Sequence, residues 1–263
     1  MTQLPVLFDV TDTGIATITL NRPEKHNAFD DHMIQHLTDI VSSAIHNPEV
    51  RVIILSGEGD NFSAGADLSW MKRMANFSEE ENIDDAMKLA KLMHTLYHSP
   101  KPTIASVQGK TFGGGIGLIS CCHTAIICDD AQFCFSEAKL GIIPAVISPY
   151  IINAIGPRWA RYYFLHGQRF NAQQALQIGL CHEVVAPEAL NQASQNAAEN
   201  LLKNGPNALQ ATNYLVNDLS PFLINDDVMQ YTARIIAKLR VSPEGQIGLN
   251  AFLNKTKPNW NHS

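Results

Sequence analysis

Charge is scarce in this chain. Only 17% of its 263 residues are Asp, Glu, Lys or Arg, and the 19 basic residues are outnumbered by 25 acidic ones. Proteins that hold nucleic acid through its phosphates carry a basic excess; the formal net charge of −6 points away from that class. Long apolar runs are also missing. The longest, Gly113–Cys128, is broken by Ser120, His123 and Thr124, whereas a membrane span needs about 20 nearly unbroken apolar residues. The opening MTQLPVLFDVTDTG has no basic head followed by an apolar run, so no signal peptide is expected. Cysteine is few and unpatterned: Cys121, Cys122, Cys128, Cys134 and Cys181 are odd in number and lack C-x-x-C spacing. They read as buried thiols of a cytoplasmic protein, and neither disulfides nor a metal site is expected.

What the chain does have is apolar mass. At 45% hydrophobic residues it is no disordered segment, and it is long enough for a sizeable core in one domain with or without an appendage. Val6–Val10 and Ile15–Leu20 are β-rich runs around Thr11-Asp12-Thr13-Gly14 and predict a hairpin. Apolar residues at helical spacing predict helices over about Asp30–His46 and Ile83–Tyr97. Val52–Leu55, Pro102–Val107, Ala125–Cys128 and Gln132–Phe135 read as strands. From about Ser148 the strand signal fades. Helices are expected over Ser148–Ile155, Pro157–Leu165, Ala172–Ile178, Pro187–Lys203, Pro206–Asn217, Asp226–Arg240 and Pro243–Asn254, several opened by proline. The class is therefore α/β with a helical C-terminal region.

Three segments have the composition for chemistry. Gly113-Gly114-Gly115-Ile116-Gly117 follows a strand and opens a helix, where glycines bare backbone N–H groups toward a ligand. It is neither a dinucleotide fingerprint, whose third glycine would fall at Leu118, nor a phosphate loop, which needs Gly-Lys-Ser/Thr. Phe62-Ser63-Ala64-Gly65-Ala66-Asp67 is a second small-residue turn after a strand, able to expose the Ala66 amide. In Phe135-Ser136-Glu137-Ala138-Lys139-Leu140-Gly141-Ile142-Ile143-Pro144, Glu137 sits between apolar runs, where desolvation favours proton transfer near neutral pH. Each also has a plain structural reading: tight strand–helix packing, a helix cap by Asp67, and a helix-start glutamate paired with Lys139 or solvent.

Taken together and in this order, the segments resemble the crotonase (enoyl-CoA hydratase/isomerase) superfamily. The resemblance runs from Asn21-Arg22-Pro23-Glu24-Lys25-His26-Asn27-Ala28 through Phe62–Leu68, Gly109–Leu118 and Ser136–Pro144 to Ala251-Phe252-Leu253-Asn254-Lys255. It implies an α/β crotonase-type spiral of ββα turns over residues 1–200. Residues 201–263 would form a helical C-terminal trimerisation region, giving a homotrimer or a hexamer. It implies an acyl-CoA substrate and no cofactor beyond the coenzyme A that the substrate carries. The amides of Ala66 and Gly114 would form an oxyanion hole, and Glu137 would move the proton. Lys25, His26, Ala28, Ala64, Asp67, Leu68 and Gly117 would line the substrate and coenzyme A path, with Phe252 and Lys255 reaching the coenzyme A of a neighbouring subunit.

One departure stands out. Typical hydratases carry a second glutamate at the position of Gly117, here without a side chain. Ile143-Pro144-Ala145-Val146-Ile147-Ser148-Pro149-Tyr150 replaces their glycine-rich stretch and is similar to the bacterial 3-methylglutaconyl-CoA hydratase branch. The expectation is a hydratase acting with a single glutamate, with a Δ3-Δ2 enoyl-CoA isomerase as the alternative. A non-catalytic RNA-binding protein of the same fold is a further alternative, although no basic stripe supports it. Cys121-Cys122-His123 is read as buried structure, because neighbours on a helix point about 100° apart. His94 and His98, which lack the metalloprotease glutamate, are read as exposed, and Glu79–Glu81 as a solvated face.

Overall fold

The computed structural model describes residues 4–74, 76–219 and 242–259. The expected hairpin is β1 (Val6–Val10) and β2 (Ile15–Leu20), antiparallel with Val6 opposite Leu20 and turned by Gly14 at φ +88°. To β2 are added β3 (Val52–Gly57), β4 (Thr103–Val107), β6 (Thr124–Cys128) and β9 (Glu183–Val185), all parallel. The result is a six-stranded sheet of order β1-β2-β3-β4-β6-β9. A smaller sheet holds β5 (Lys110–Phe112), β7 (Gln132–Cys134) and β8 (Arg169–Asn171).

Alternation along the central strands gives the large sheet two apolar faces. Ile53, Leu55, Ala105, Val107 and Ile127 join the main core beneath α1 (Asp31–His46), α3 (Glu79–Tyr97) and α4 (Gly114–Cys121). Val52, Ile54, Ile104 and Ile126 face the other way, onto Leu190 and Ala198 of α7 (Leu190–Leu202). A buried Ser194–Ser106 hydrogen bond of 2.9 Å pins α7 to β4. The remaining helices are α2 (Leu68–Met74), α5 (Ser148–His166), α6 (Ala172–Gln177), α8 (Pro206–Leu219) and α9 (Pro243–Leu253). Buried Glu244 of α9 accepts the Asn207 and Ala208 N–H groups at 2.9 and 2.8 Å, capping α8 from outside it.

The spiral is legible in the pairing. Ser63 bridges Thr111 in parallel, and Thr111 pairs with Phe133, so three chain segments cross the small sheet on one rung. Each segment follows a strand of the large sheet and leads into helix: β3 into α2, β4 into α4, β6 into a 3₁₀ turn at Glu137–Leu140 and α5. This repeated strand–strand–helix course is the ββα spiral.

Several expectations are corrected. The region after Ser148 is not all helical, since β8 and β9 lie within it. Both strands, like β5, are three residues long, too short to show alternation. The two helices expected on either side of residue 156 are present, divided by Gly156 at φ +74° within α5, whereas Pro187–Ala189 is a 3₁₀ turn ahead of α7. The helix expected over Asp226–Arg240 lies outside the described residues.

Candidate active site

The common rung determines the site. Three residues beyond it stand Ala66, Gly114 and Ser136, and one further on stands Glu137, so the three segments leave the small sheet side by side at the same edge. They enclose a cavity of about 530 Å³, whose wall includes Ala64–Ala66, Leu68, Gly113, Gly114 and Glu137. A larger crevice of about 830 Å³ between the β1–β2 turn and the start of α8 contains none of the three chemical segments.

The Ala66 amide is free for a reason. Phe29 pairs with the 65–67 segment, donating its N–H to Gly65 O at 2.6 Å and accepting the Asp67 N–H at 2.7 Å. That ladder skips Ala66, whose N–H has no acceptor among the described residues. Gly114 opens α4, where first-turn N–H groups have no intrahelical partner, and its N–H is likewise unpaired among the described residues. One residue touches both donor segments: the Phe29 backbone pairs with residues 65–67, and a Cβ on Gly114 would lie 3.0 Å from the Phe29 ring. Gly113 bends into α4 at φ +48°, a conformation favouring glycine, and its N–H donates to Cys134 O at 3.1 Å.

Glu137 closes the arrangement. A Cβ on Gly113 would lie 3.0 Å from Glu137 Oε1, which puts the carboxylate over the start of α4. Its Oε2 is buried and accepts no hydrogen bond among the described residues. Burial pushes its carboxyl above the usual range, offset in part by its own backbone N–H. Two amide donors, a desolvated carboxyl and an apolar cavity can hold a carbonyl oxygen as it gains charge while a proton moves beside it.

Asp67 serves the loop and not the cavity. Its Oδ1 caps α2, accepting the Ser69 and Trp70 N–H groups at 2.8 and 3.3 Å. Its Oδ2 pairs with Lys25 Nζ at 3.0 Å and Arg22 Nη2 at 3.2 Å. Burial raises its carboxyl, but Lys25 and the two backbone donors outweigh that and bring it down to about 2. The helix-cap reading therefore describes this side chain, and Asp67 is not on the cavity wall. His26 stands in left-handed backbone at φ +51° with Nδ1 3.0 Å from Asn61 Nδ2. Ala28 is buried and gives its carbonyl to Arg22 at 3.0 Å. Lys255 is exposed just past α9, and the Phe252 side chain lies outside the described residues.

Gly117 is not on the cavity wall. A Cβ there would overlap Ile147 Cγ2 and stand 3.0 Å from Ile147 Cβ and 3.1 Å from Met93 Cε. Ile147 itself is on the wall, so its side chain fills the room that a residue at 117 would use. The two departures read separately in the sequence are one packing change.

Three residues escaped the sequence reading. Phe29 clamps both amides, and Asn27 ties the loop by accepting the Arg22 N–H and donating to Glu58 O and Asn61 O. Asp85 on the cavity wall is the third. Only the alanine-flanked Asn27 stood inside a quoted motif; the rest carry no local signal. All five cysteines are free; Cys121, Cys128, Cys134 and Cys181 are buried and Cys122 half-buried, and burial pushes Cys122 and Cys181 up to about 12. His123 Nδ1 accepts the Thr103 N–H at 3.0 Å, a structural bond. His94 and His98 are exposed, and Glu79–Glu81 form the exposed first turn of α3. No metal-binding group of three His, Cys, Asp or Glu and no membrane-length apolar helix occurs among the described residues.

Convergent amides beside a desolvated carboxyl on a ββα spiral form an arrangement able to stabilise an oxyanion. The chain belongs to the enoyl-CoA hydratase/isomerase family, which it matches over residues 10–263. It is 29% identical to crotonyl-CoA hydratase of Syntrophomonas wolfei subsp. wolfei, covering 94% of each chain. It is 33% identical to hydroxycinnamoyl-CoA hydratase-lyase of Pseudomonas fluorescens, covering 77% of this chain and 75% of that one. The crystal structure of an enoyl-CoA hydratase from Shewanella pealeana ATCC 700345 superposes with a TM-score of 0.94 at 42% identity, covering 98% of this chain and 96% of that one.

Proposed function

We propose that this chain is a hydratase adding water across the 2,3 double bond of an enoyl-CoA thioester. The observation that carries the reading is the orphaned Glu137 Oε2 beside the free Ala66 and Gly114 amides. Glu137, ionised, takes a proton from water as the water oxygen bonds to Cβ. The π electrons move toward the thioester oxygen, and the resulting enolate is held by the two N–H groups. Glu137 then returns the proton to Cα and the carbonyl re-forms. A raised carboxyl pKa suits both halves of this shuttle.

Family resemblance supports a coenzyme A path along Lys25, His26, Ala28, Ala64 and Leu68, with Phe252 and Lys255 serving a neighbouring copy. Assembly as a trimer or hexamer fits the exposed apolar side chains Ile152, Trp159 and Leu165 of α5 and Tyr214 and Val216 of α8. Light scattering at micromolar concentration reads that assembly directly. Five free thiols suit a cytoplasmic setting.

The isomerase reading has one observation in its favour: the packed Gly117–Ile147 contact leaves no carboxylate at position 117, and carrying a proton between C2 and C4 needs no water. The 3-methylglutaconyl substrate is supported by the resemblance of Ile143–Tyr150. Against it, no Lys or Arg stands on the cavity wall among the described residues to meet its second carboxylate. The deciding experiment offers 3-methylglutaconyl-CoA, crotonyl-CoA and a 3-enoyl-CoA side by side and identifies products by mass. A water adduct of either 2-enoyl substrate sustains the hydratase. A 2-enoyl product of unchanged mass, formed from the 3-enoyl-CoA alone, replaces it with the isomerase.

A further inference from the structure

The cavity wall beyond the amides and Glu137 is mostly apolar, with Met71, Met74, Leu89, Ile142 and Ile147 on it, and among its polar residues are Asp85 and Trp70, which the proton shuttle does not use. Asp85, on α3, is 6% exposed. Its carboxylate accepts no hydrogen bond among the described residues, and its ion-pair partner, Lys88 Nζ, is 3.9 Å away and half exposed. Trp70, on α2, is also 6% exposed, and its indole Nε1–H is buried without an acceptor among the described residues. Asn82 is no substitute partner, since its amide N–H groups go to the carbonyls of Met74, Phe77 and Ser78. It fixes the turn between the two helices.

A buried donor without an acceptor and a buried carboxylate held by one long ion pair are each costly, and a folded protein retains such groups where something else completes them. Here they stand on the wall of one cavity. A ligand group that donates relieves Asp85 and one that accepts relieves Trp70, and a hydroxyl is chemically able to do either. A methyl satisfies neither. A carboxylate accepts from Trp70 but meets the charge of Asp85 in a partly dry space, with no Lys or Arg on that wall among the described residues to offset it.

We propose that Asp85 and Trp70 form a selectivity notch that favours acyl chains carrying a neutral hydroxyl and disfavours acyl carboxylates. The inference rests on the acyl-CoA reading above and deepens it to a substrate class. Sites built to hydrogen-bond a hydroxyl discriminate strongly against analogues that lack it, because the protein groups are then left unpaired.

The test uses saturated thioesters, which bind without turnover: hexanoyl-CoA, 6-hydroxyhexanoyl-CoA and adipoyl-CoA, and their eight-carbon homologues. Their affinities are measured calorimetrically on the full chain. In one of the two lengths the hydroxy-acyl thioester is expected to bind about tenfold tighter than the carboxy-acyl one and several-fold tighter than the unsubstituted one. Asp85→Asn should erase the disadvantage of the carboxylate, and Trp70→Phe should reduce the hydroxyl advantage without helping the carboxylate. Wild-type protein that ranks the unsubstituted or carboxy-acyl thioester first at both lengths overturns the proposal. So does an unchanged ranking in an Asp85→Asn protein that keeps wild-type melting temperature and affinity for free coenzyme A. Because none of these measurements needs catalysis, a protein that hydrates nothing would defeat the hydratase reading while the notch stays decidable.

Discussion

Gly114 and Gly117 lie one turn apart on the same helix and lack a side chain for opposite reasons. Gly114 is small so that its N–H can point into the cavity beneath the Phe29 ring. Gly117 offers nothing to the cavity; it is small because Ile147 and Met93 already occupy its space. One wall of the site is thus made of backbone, fixed by a ladder and a helix start, and the opposite wall of interlocking side chains. Backbone geometry tolerates many sequences, whereas side-chain packing couples distant positions to one another.

The sharpest break in that comparison removes the group between the walls. Glu137→Gln is expected to lower turnover about a thousandfold while leaving affinity for a saturated acyl-CoA within a few-fold, measured by steady-state kinetics and calorimetry. The same variant should melt higher than wild type. The folded carboxyl is raised, so ionising it destabilises the native state as pH climbs above the ordinary carboxylate value; the gain of the neutral amide should grow from acid to neutral pH.

Gly117→Glu tests the packed wall. Restoring a glutamate to the typical hydratase position should not create a better hydratase here. Overpacking against Ile147 and burying a charge should cost about 3 kcal/mol or more in chemical denaturation. Adding Ile147→Gly should recover part of that stability, since the two changes share one space. Independent, additive effects would break the claim that they are coupled.

Asp67→Asn probes the frame of the backbone wall. A carboxyl held at about 2 implies roughly 2 kcal/mol of stability at neutral pH. The folded value is depressed, so that contribution is complete above the ordinary carboxylate range and lost as pH falls toward about 2. Denaturation curves of variant and wild type should converge over that window.

The smallest effect expected is that of Phe29→Leu. Its backbone ladder to residues 65–67 survives, but the contact over Gly114 shrinks. About a tenfold fall in kcat with coenzyme A affinity unchanged would mark Phe29 as a positioning residue, and a weaker shift of the bound thioester carbonyl stretch would trace the loss to the amides.

These contrasts explain what could be read before any coordinates were known. Val6–Leu20, α1, α3 and the central strands are long and periodic, and their hairpin, helical and buried-strand characters were legible from local patterning. So were the three chemical segments, because glycine-rich turns and a carboxylate between apolar runs are local features. The strands β5, β8 and β9 were not legible, since three residues form a strand only when a neighbouring strand supplies the hydrogen bonds. Nor was the choice Asp67 makes between capping a helix and meeting a ligand, which depends on Lys25 and Arg22 folding back across 42 and 45 residues.

By itself, then, the sequence determined which residues were small, apolar or acidic, and hence which backbone amides were open to exposure and which carboxylate was available beside them. Tertiary structure alone decided that Ser63, Thr111 and Phe133 share a rung, which brings Ala66, Gly114 and Glu137 to one edge. It also decided that Ile147 closes the space at Gly117 and that Asp85 and Trp70 stand on one cavity wall. The physical reason is range: turn chemistry and periodicity act over a few residues, whereas packing and pairing act between segments whose meeting no local pattern encodes.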